Sequence, residues 1–344
     1  KEMKDLNIWR ITLDTNPEDC NFHCIMCEEH SDFSDFKQRL FNKTGIKRRL
    51  MPKEWLEAIF KEAKELGVKE IIPSTMGEPL LYEHFETILK LCKMNDIKLN
   101  LTTNGSFPIK SVEEWAKLIV PITSDIKISW NGATKETFEK IMQGSNYSTH
   151  LQNVKTLIKY RNEYFEKTGY YCRITFQLTF LQNNMQELVE IVKLASDLGV
   201  DRMKGHHLWT HFKEIENLSF KYSKESIKKW NKIAEKALEA QGKYRRPNGD
   251  KITFENIFAL QFQEEKEIPE NYDCPFLKKE LWISATGKIS PCCAPDELRN
   301  SLGNFGTYPN TSIKQVIKSE IYTDLCENYK QIPLCKTCNM RQPK

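Results

Sequence analysis

Three consecutive stretches decide the fold: Lys98-Leu-Asn-Leu-Thr-Thr103, a helical run opening at Ser111, and Asp125-Ile-Lys-Ile-Ser-Trp130. Strand, helix, strand in that order is a crossover unit, and crossovers of this length join parallel strands. Working outward, the cycle recurs. Trp9 to Asp14 reads as a first strand. Pro52 opens and Gly67 stops a helix with the apolar stripe Trp55, Leu56, Ile59, Phe60, Ala63 and Leu66, and Glu70 to Ser74 follows as a strand. A helix over Phe85 to Met94 precedes Lys98. A long helix near Tyr147 to Lys167 leads into a strand over Cys172 to Phe180, and a helix over Met185 to Leu198 leads into a sixth strand, Val200 to Leu208. About six such units predict an α/β fold, a partial (β/α)6 TIM-like barrel.

The strands alternate apolar with polar residues, although a parallel strand covered on both faces reads as almost uniformly apolar. Asn100, Thr102 and Asn104 share one face of the third strand, and Lys127, Ser129 and Asn131 one face of the fourth. Arg173, Thr175, Gln177 and Thr179 do so in the fifth, and Arg202, Lys204 and His206 in the sixth. One face therefore meets something polar, and a lumen holding a polar ligand is the simplest account; edge strands are the competing one. His206, His207 and His211 close the sixth strand, where barrels place substrate groups. Arg173, Lys204, His206, His207 and His211 are thus the candidate substrate residues, with loop or core histidines as the alternative.

The helical pattern over Phe220 to Gly242 completes a barrel domain over 1–244. Residues 245–271 are polar and irregular and read as a linker, and 272–344 form a C-terminal domain with a hairpin turning at Thr286-Gly287. The 344 residues are 40% hydrophobic, and the 28% that are charged nearly cancel to +4. Without a basic run, nucleic acid is not the expected partner. No stretch is apolar enough to span a bilayer and the first residues lack a signal-peptide core, which predicts no membrane partner and a cytoplasmic protein.

Eleven cysteines in such a chain call for metal rather than a disulfide framework. Cys20-Asn-Phe-His-Cys24-Ile-Met-Cys27, in the loop after the first strand, has the spacing C-x3-C-x2-C. Three neighbouring thiolates can hold one face of a 4Fe-4S cubane and leave its fourth iron open to a small-molecule ligand. A zinc site would instead need a fourth ligand such as His23 or His30. At the other end, the turn at Gly287 would bring Cys274 and Cys292 together, and Cys335-Lys-Thr-Cys338 supplies two further thiolates. Four thiolates fill a cubane completely, and a zinc ribbon is the alternative for the same residues. Cys92 and Cys172 fall on apolar faces, and Cys326 lies in a helical stretch.

With these motifs in order, the sequence resembles the radical S-adenosylmethionine (SAM) superfamily. Met76-Gly77-Glu78-Pro79 resembles the family's Gly-Gly-Glu-Pro motif, whose backbone and acidic residue hold the methionyl amino group of SAM. Thr102-Thr103-Asn104-Gly105 and the segment from Ile128 to Thr137 resemble further SAM-contacting stretches, with Asn104, Ser129 and Asn131 as the implied contacts. Two departures are Met26, where an aromatic is usual, and Met76, where the first glycine stands. The C-terminal cysteines resemble the auxiliary-cluster SPASM or twitch domain of the same superfamily. The resemblance implies two 4Fe-4S clusters, SAM as cofactor, and an electron donor such as flavodoxin or ferredoxin.

It also implies reductive cleavage of SAM to a 5′-deoxyadenosyl radical that abstracts a substrate hydrogen. Cys293, directly after Cys292, matches the position of a hydrogen-donor cysteine in radical SAM epimerases. Pro-Cys-Cys also occurs in such domains whatever the reaction, so a spectator role competes. Epimerisation by Cys293 and dehydrogenation through the auxiliary cluster are the two expected outcomes. The few residues before the first strand favour a small molecule, such as a sugar or aminocyclitol, over a ribosomal peptide. A zinc-stabilised binding module is the non-enzymatic alternative.

Overall fold

A computed structural model describes residues 3–261, 268–338 and 340–343. Six parallel strands alternate with helices: β1 Arg10–Leu13, β2 Glu70–Ile72, β3 Lys98–Thr103, β4 Thr123–Ser129, β5 Arg173–Phe180 and β6 Arg202–His207. Between them run α1 Phe36–Thr44, α2 Lys53–Glu65, α3 Phe85–Asn95, α4 Val112–Ile119, α5 Lys135–Ile141, α6 Tyr147–Thr168 and α7 Leu188–Leu198, and α8 Lys224–Lys243 follows β6. Each strand pairs in parallel with its successor, so the order in space follows the order in sequence.

The alternation divides the strands as their sequences require. Ile126, Ile128, Ile174, Phe176 and Leu178 are fully buried on the helix-covered face. Phe180 lies so close over Gly205 that a Cβ there would meet its ring at 2.1 Å, which is why β6 carries glycine at that point. The other face holds the polar set, and the sheet curves around it. Glu280 in the C-terminal segment feels the charges of Lys204 on β6 and Lys127 on β4. In a flat sheet, six strand spacings of about 4.8 Å would separate Glu280 from Lys204 by roughly 29 Å. The polar face is therefore the wall of a lumen, and the architecture is a partial α/β barrel.

The sheet has nine strands, in the order β10-β9-β1-β2-β3-β4-β5-β6-β7. The stretch 245–271, expected to be an irregular linker, contributes β7, Thr253–Glu255, parallel to β6. Three residues are too short a period to read from sequence, and the strand is tied down by Glu255, which binds Arg202 and lies 3.3 Å from Lys204. Residues 262–267 of that stretch lie outside the described residues. The C-terminal segment likewise joins the barrel sheet: β9, Glu280–Ile283, runs parallel to β1, and β10, Ile289–Ser290, returns beside β9. Gly287 turns this hairpin at φ 92°, against Tyr308 O. β8 Tyr272–Asp273 and β11 Gln342–Pro343 form a separate two-stranded pair. Among the described residues, no helix is long and apolar enough to cross a membrane.

Candidate active site

The three cysteines of the first motif lie in the loop after β1, at the C-terminal mouth of the barrel. His23 N donates to Gln143 O and Ile25 N to Ile141 O, each at 3.0 Å, which fastens the loop to the end of α5. Burial pushes the thiols of Cys20, Cys24 and Cys27 up, Cys27 to about 11, and the Cys27 and Cys20 sulfurs push Cys24 further. Such mutual repulsion places the three within electrostatic reach of one another, and bound iron would relieve it by holding them as thiolates. Neither histidine that a zinc site would recruit is directed at them: His30 Nε2 meets Pro17 O at 2.8 Å, and His23 Nδ1 meets Asp32 at 2.9 Å. Among the described residues, no three His, Cys, Asp or Glu side chains converge tightly enough for a single metal ion.

A buried cation braces the loop. Arg49 Nη2 lies 2.5 Å from Glu18, two residues before Cys20, and 2.7 Å from Glu29, two residues after Cys27. All three side chains are less than a tenth exposed. Sequence reasoning passed over this triad, although charges on both flanks of a buried loop must find partners.

Gly77 approaches the same loop so closely that a Cβ would lie 2.1 Å from Asn16 O, so only glycine fits. Glu78 N donates to Asp19 O at 2.7 Å and Asn16 Nδ2 to Glu78 O at 3.0 Å, stitching the 76–79 turn to the cysteine loop. The Glu78 carboxylate is buried. It accepts from Thr103 Oγ1 at 2.8 Å, Asn104 N at 2.7 Å and Leu80 N at 3.3 Å, while burial raises its pKa to about 7. These bonds hold the 76–79 turn against the end of β3, so Glu78 positions the turn whose backbone at Met76 and Gly77 lies beside the cysteine loop. Pro79 is buried behind it.

Asn104 reaches the loop directly, its Nδ2 lying 2.8 Å from Asn21 Oδ1 and 3.9 Å from Cys20 Sγ. Ser129 ends β4 half-buried on the lumen face. Asn131 is buried, and its Oδ1 is spent on Thr179 N at 2.8 Å. The lumen below keeps polar atoms without hydrogen-bond partners among the described residues: Asn100 Oδ1, Gln177 Oε1, Arg10 Nε and Asp14 Oδ1. Buried polar groups are normally satisfied by protein or water, so these four atoms around the lumen are open to water or to a polar ligand. Asp14 was missed, though it continues the Arg10, Thr12 face of β1. Burial raises its pKa, against the opposing effect of Thr75.

The candidate substrate residues separate. His206 faces the mouth and is reachable by water, yet the protein walls around it and the Lys204 charge hold its pKa down to about 4. Lys204 lines the lumen. His207 faces the opposite way, its ring 5.1 Å from Phe180 and 4.8 Å from Trp230, as strand alternation dictates for the neighbour of an inward residue. Arg173 begins β5, at the end of the strand opposite the mouth, where its half-exposed side chain is bound to Asp125 at 3.0 Å. His211 lies beside Phe212 beyond β6.

At the C-terminal end, Cys274, Cys292, Cys335 and Cys338 act on one another electrostatically. Tyr329 Oη accepts from Cys274 N at 3.0 Å, and Arg341 binds Tyr272 O and Cys335 O, holding the set together. Cys326 is buried beside Tyr322, outside this group. Cys293 is the exposed one among the eleven described cysteines, and its thiol donates a hydrogen bond to the Cys292 sulfur. The segment after it returns to the mouth, where Glu297 binds Arg39 of α1 at 2.9 Å.

Comparison with known proteins agrees with this geometry. The family model described as the radical SAM superfamily matches residues 17–195, more than half of the chain, and the SPASM model, an iron-sulfur cluster-binding domain, matches 274–339. The probable GTP 3′,8-cyclase of Thermococcus kodakarensis is 27% identical over 144 residues, 42% of this chain and 42% of that protein. Pre-heme d1 synthase of Dinoroseobacter shibae is 28% identical over 205 residues, 60% of this chain and 44% of that protein. The matches therefore span less than half the length of these relatives. Streptococcus suis SuiB superposes with a TM-score of 0.64 at 16% identity, covering 94% of this chain and 68% of that one. Native anSMEcpe with bound AdoMet gives 0.65 at 17% identity, covering 97% of this chain and 89% of that one. These likenesses show the fold.

The two domains imply SAM, the 4Fe-4S cluster that binds it and an auxiliary cluster, and the residues fit: three thiols at the mouth, four at the C-terminal end, and a turn that only glycine can bring against the first loop. Since the matched family model spans the cysteine loop, the 76–79 turn and the strands β2 to β5, the chain belongs to the radical SAM superfamily and carries a SPASM domain.

Proposed function

We propose that the enzyme removes a hydrogen atom from a polar small molecule seated in the lumen, such as a sugar or aminocyclitol, and that Cys293 returns one from the opposite face, inverting the carbon. When bound at the open iron, SAM supplies on one-electron reduction the radical that takes the hydrogen atom. Ser129, Asn104 and the backbone at Met76 and Gly77 would orient it, and the unpartnered groups of Asn100, Gln177 and Asp14 would orient the substrate. The carbon radical takes hydrogen from the Cys293 S–H, forming a C–H bond and leaving a thiyl. One electron and one solvent proton restore the thiol, so the reading requires a low-potential one-electron donor of the flavodoxin or ferredoxin class. The observation that carries it is the exposure of Cys293 beside the half-buried Cys274, Cys292, Cys335 and Cys338.

A second reading, dehydrogenation, rests on Asp14. Its buried carboxylate on the lumen face, with Oδ1 unpartnered, could take the proton of a substrate radical that gives up its electron to the auxiliary cluster. A polar residue of a peptide would meet the same lumen, and SuiB was solved bound to its precursor peptide SuiA.

Turnover in deuterated water separates these readings. Inversion through an exchangeable thiol gives a product of unchanged oxidation state with deuterium at one carbon, and Cys293→Ala keeps deoxyadenosine formation while losing that product. An oxidised product without deuterium, or full product formation by the Ala variant, would reject the donor role.

A further inference from the structure

The floor of the lumen is a layer of ion pairs. Arg10 on β1 binds Glu280 on β9 and lies 3.5 Å from Glu70 on β2. Asp125 on β4 lies 3.0 Å from Arg173 and 2.6 Å from Arg202. Arg202 and Lys204 share Glu255 on β7. Among the described residues of this layer, Lys127 is the cation with neither an ion pair nor a hydrogen bond. It is nonetheless 7% exposed. Its place is set by register: it pairs with Thr102 on β3 and Thr175 on β5, on the lumen face, between the outward Ile126 and Ile128. Gln177, with its orphaned Oε1, stands one step further up β5 and pairs with Lys204 on β6.

A buried amine without a counter-ion is costly, and proteins keep one where it meets a charge that arrives later or a proton that must move. The neighbours of Lys127 favour the first. Lys204, Arg10 and Arg202 surround it with positive charge, and the carboxylates that could answer it, Asp125, Glu255, Glu70 and Glu280, are already committed to those arginines and to Lys204. Thr102 and Thr175 add only neutral groups. We infer that Lys127, with Lys204 beside it, receives an anionic group of the substrate at the lumen floor, a carboxylate or a phosphate. This deepens the proposed function and rests on its placing of the substrate in the lumen, but it does not depend on which hydrogen-transfer outcome follows. An acidic substrate would be held by its charged end at the floor, with its reacting carbon raised toward the cysteine loop.

The inference carries a pH signature. Burial, with repulsion from Lys204 against the attraction of Asp125, lowers the Lys127 pKa to about 7. The amine is charged below that pH and neutral above it, so an anion should bind best on the acid side. With acetate, which stays ionised throughout, a site requiring the protonated amine should weaken about tenfold between pH 6 and pH 8, since a group of pKa 7 is then about one-tenth protonated.

The test is equilibrium dialysis of the reconstituted holoenzyme against radiolabelled acetate or phosphate, with and without SAM. One site per chain is expected, with SAM present or absent, weakening with pH as stated. It should weaken at least tenfold in Lys127→Met and be retained in Lys127→Arg. Iron content of both variants reports intact folding apart from any activity. Preference for acetate or for phosphate names the source of the charge. No binding by the parent protein, equal binding by Lys127→Met with its iron intact, or displacement by SAM, which would assign the site to the cofactor's own carboxylate, would each overturn the inference. Failure here leaves radical chemistry intact, whereas a holoenzyme that binds acetate at Lys127 but never cleaves SAM would sink the proposed function alone.

Discussion

Replacing Cys24 by alanine is expected to lower the iron content of anaerobically reconstituted protein from about eight atoms per chain to about four, and to take deoxyadenosine formation from SAM below detection. The argument is one of ligand number. Burial and the Cys27 and Cys20 sulfurs push the Cys24 thiol up, and losing any one of the three mouth thiols leaves the cubane only two protein ligands. The matching variant at the other end, Cys335→Ala, should lose the other four atoms yet keep SAM cleavage, because the SAM-binding loop is stitched to α5 and to the 76–79 turn rather than to the C-terminal cysteines. Iron analysis beside deoxyadenosine assay separates the two. If both variants lost iron and activity to the same degree, the division of labour between the clusters would be wrong.

Arg49→Met is expected to be the most damaging substitution outside the cysteines. It leaves Glu18, and Glu29 whose pKa burial raises to about 9, without a cation, and breaking a buried pair from one side costs about 3–5 kcal/mol. For a chain of this length that is a large share of the total stability. The damage should concentrate in the cysteine loop, because the two carboxylates flank Cys20 and Cys27. Faster loss of the SAM-binding cluster is therefore expected, read as bleaching of the iron-sulfur absorbance, together with a lower unfolding midpoint. Removing the stranded charges as well, in Arg49→Met with Glu18→Gln and Glu29→Gln, should recover much of the loss, since replacing all partners of a buried network costs far less than orphaning some. A single Met variant that keeps its cluster as long as the parent would show that the triad does not brace the loop.

What could be read from sequence followed the length and regularity of each signal. The third strand lies where the alternation of Lys98–Thr103 puts it, and the polar face shared by β3 to β6 is the lumen wall. β7 was hidden because three residues carry no period. It is defined by Glu255 answering Arg202 and Lys204, a contact between segments far apart in the chain. The joining of β9 to β1 is equally non-local, fixed by Arg10 against Glu280. Residue type alone did not say where His207 and Arg173 stand: strand alternation turns His207 toward Phe180 and Trp230, and strand direction puts Arg173 at the end of β5 opposite the mouth. Glu78 shows the opposite lesson: its motif was legible, but which way its carboxylate turned depended on Thr103 and Asn104, which only the packing of β3 against that turn brings within reach.

The account stands on three mouth thiols leaving one iron of a cubane open to SAM. The direct measurement is deoxyadenosine and methionine released from SAM by the oxygen-free, iron-loaded enzyme under a low-potential reductant. Equimolar release of the two, lost with Cys24→Ala and kept with Cys335→Ala, is the expected result. Protein that holds its full iron yet leaves SAM intact, even with an acidic polar substrate present, would contradict it.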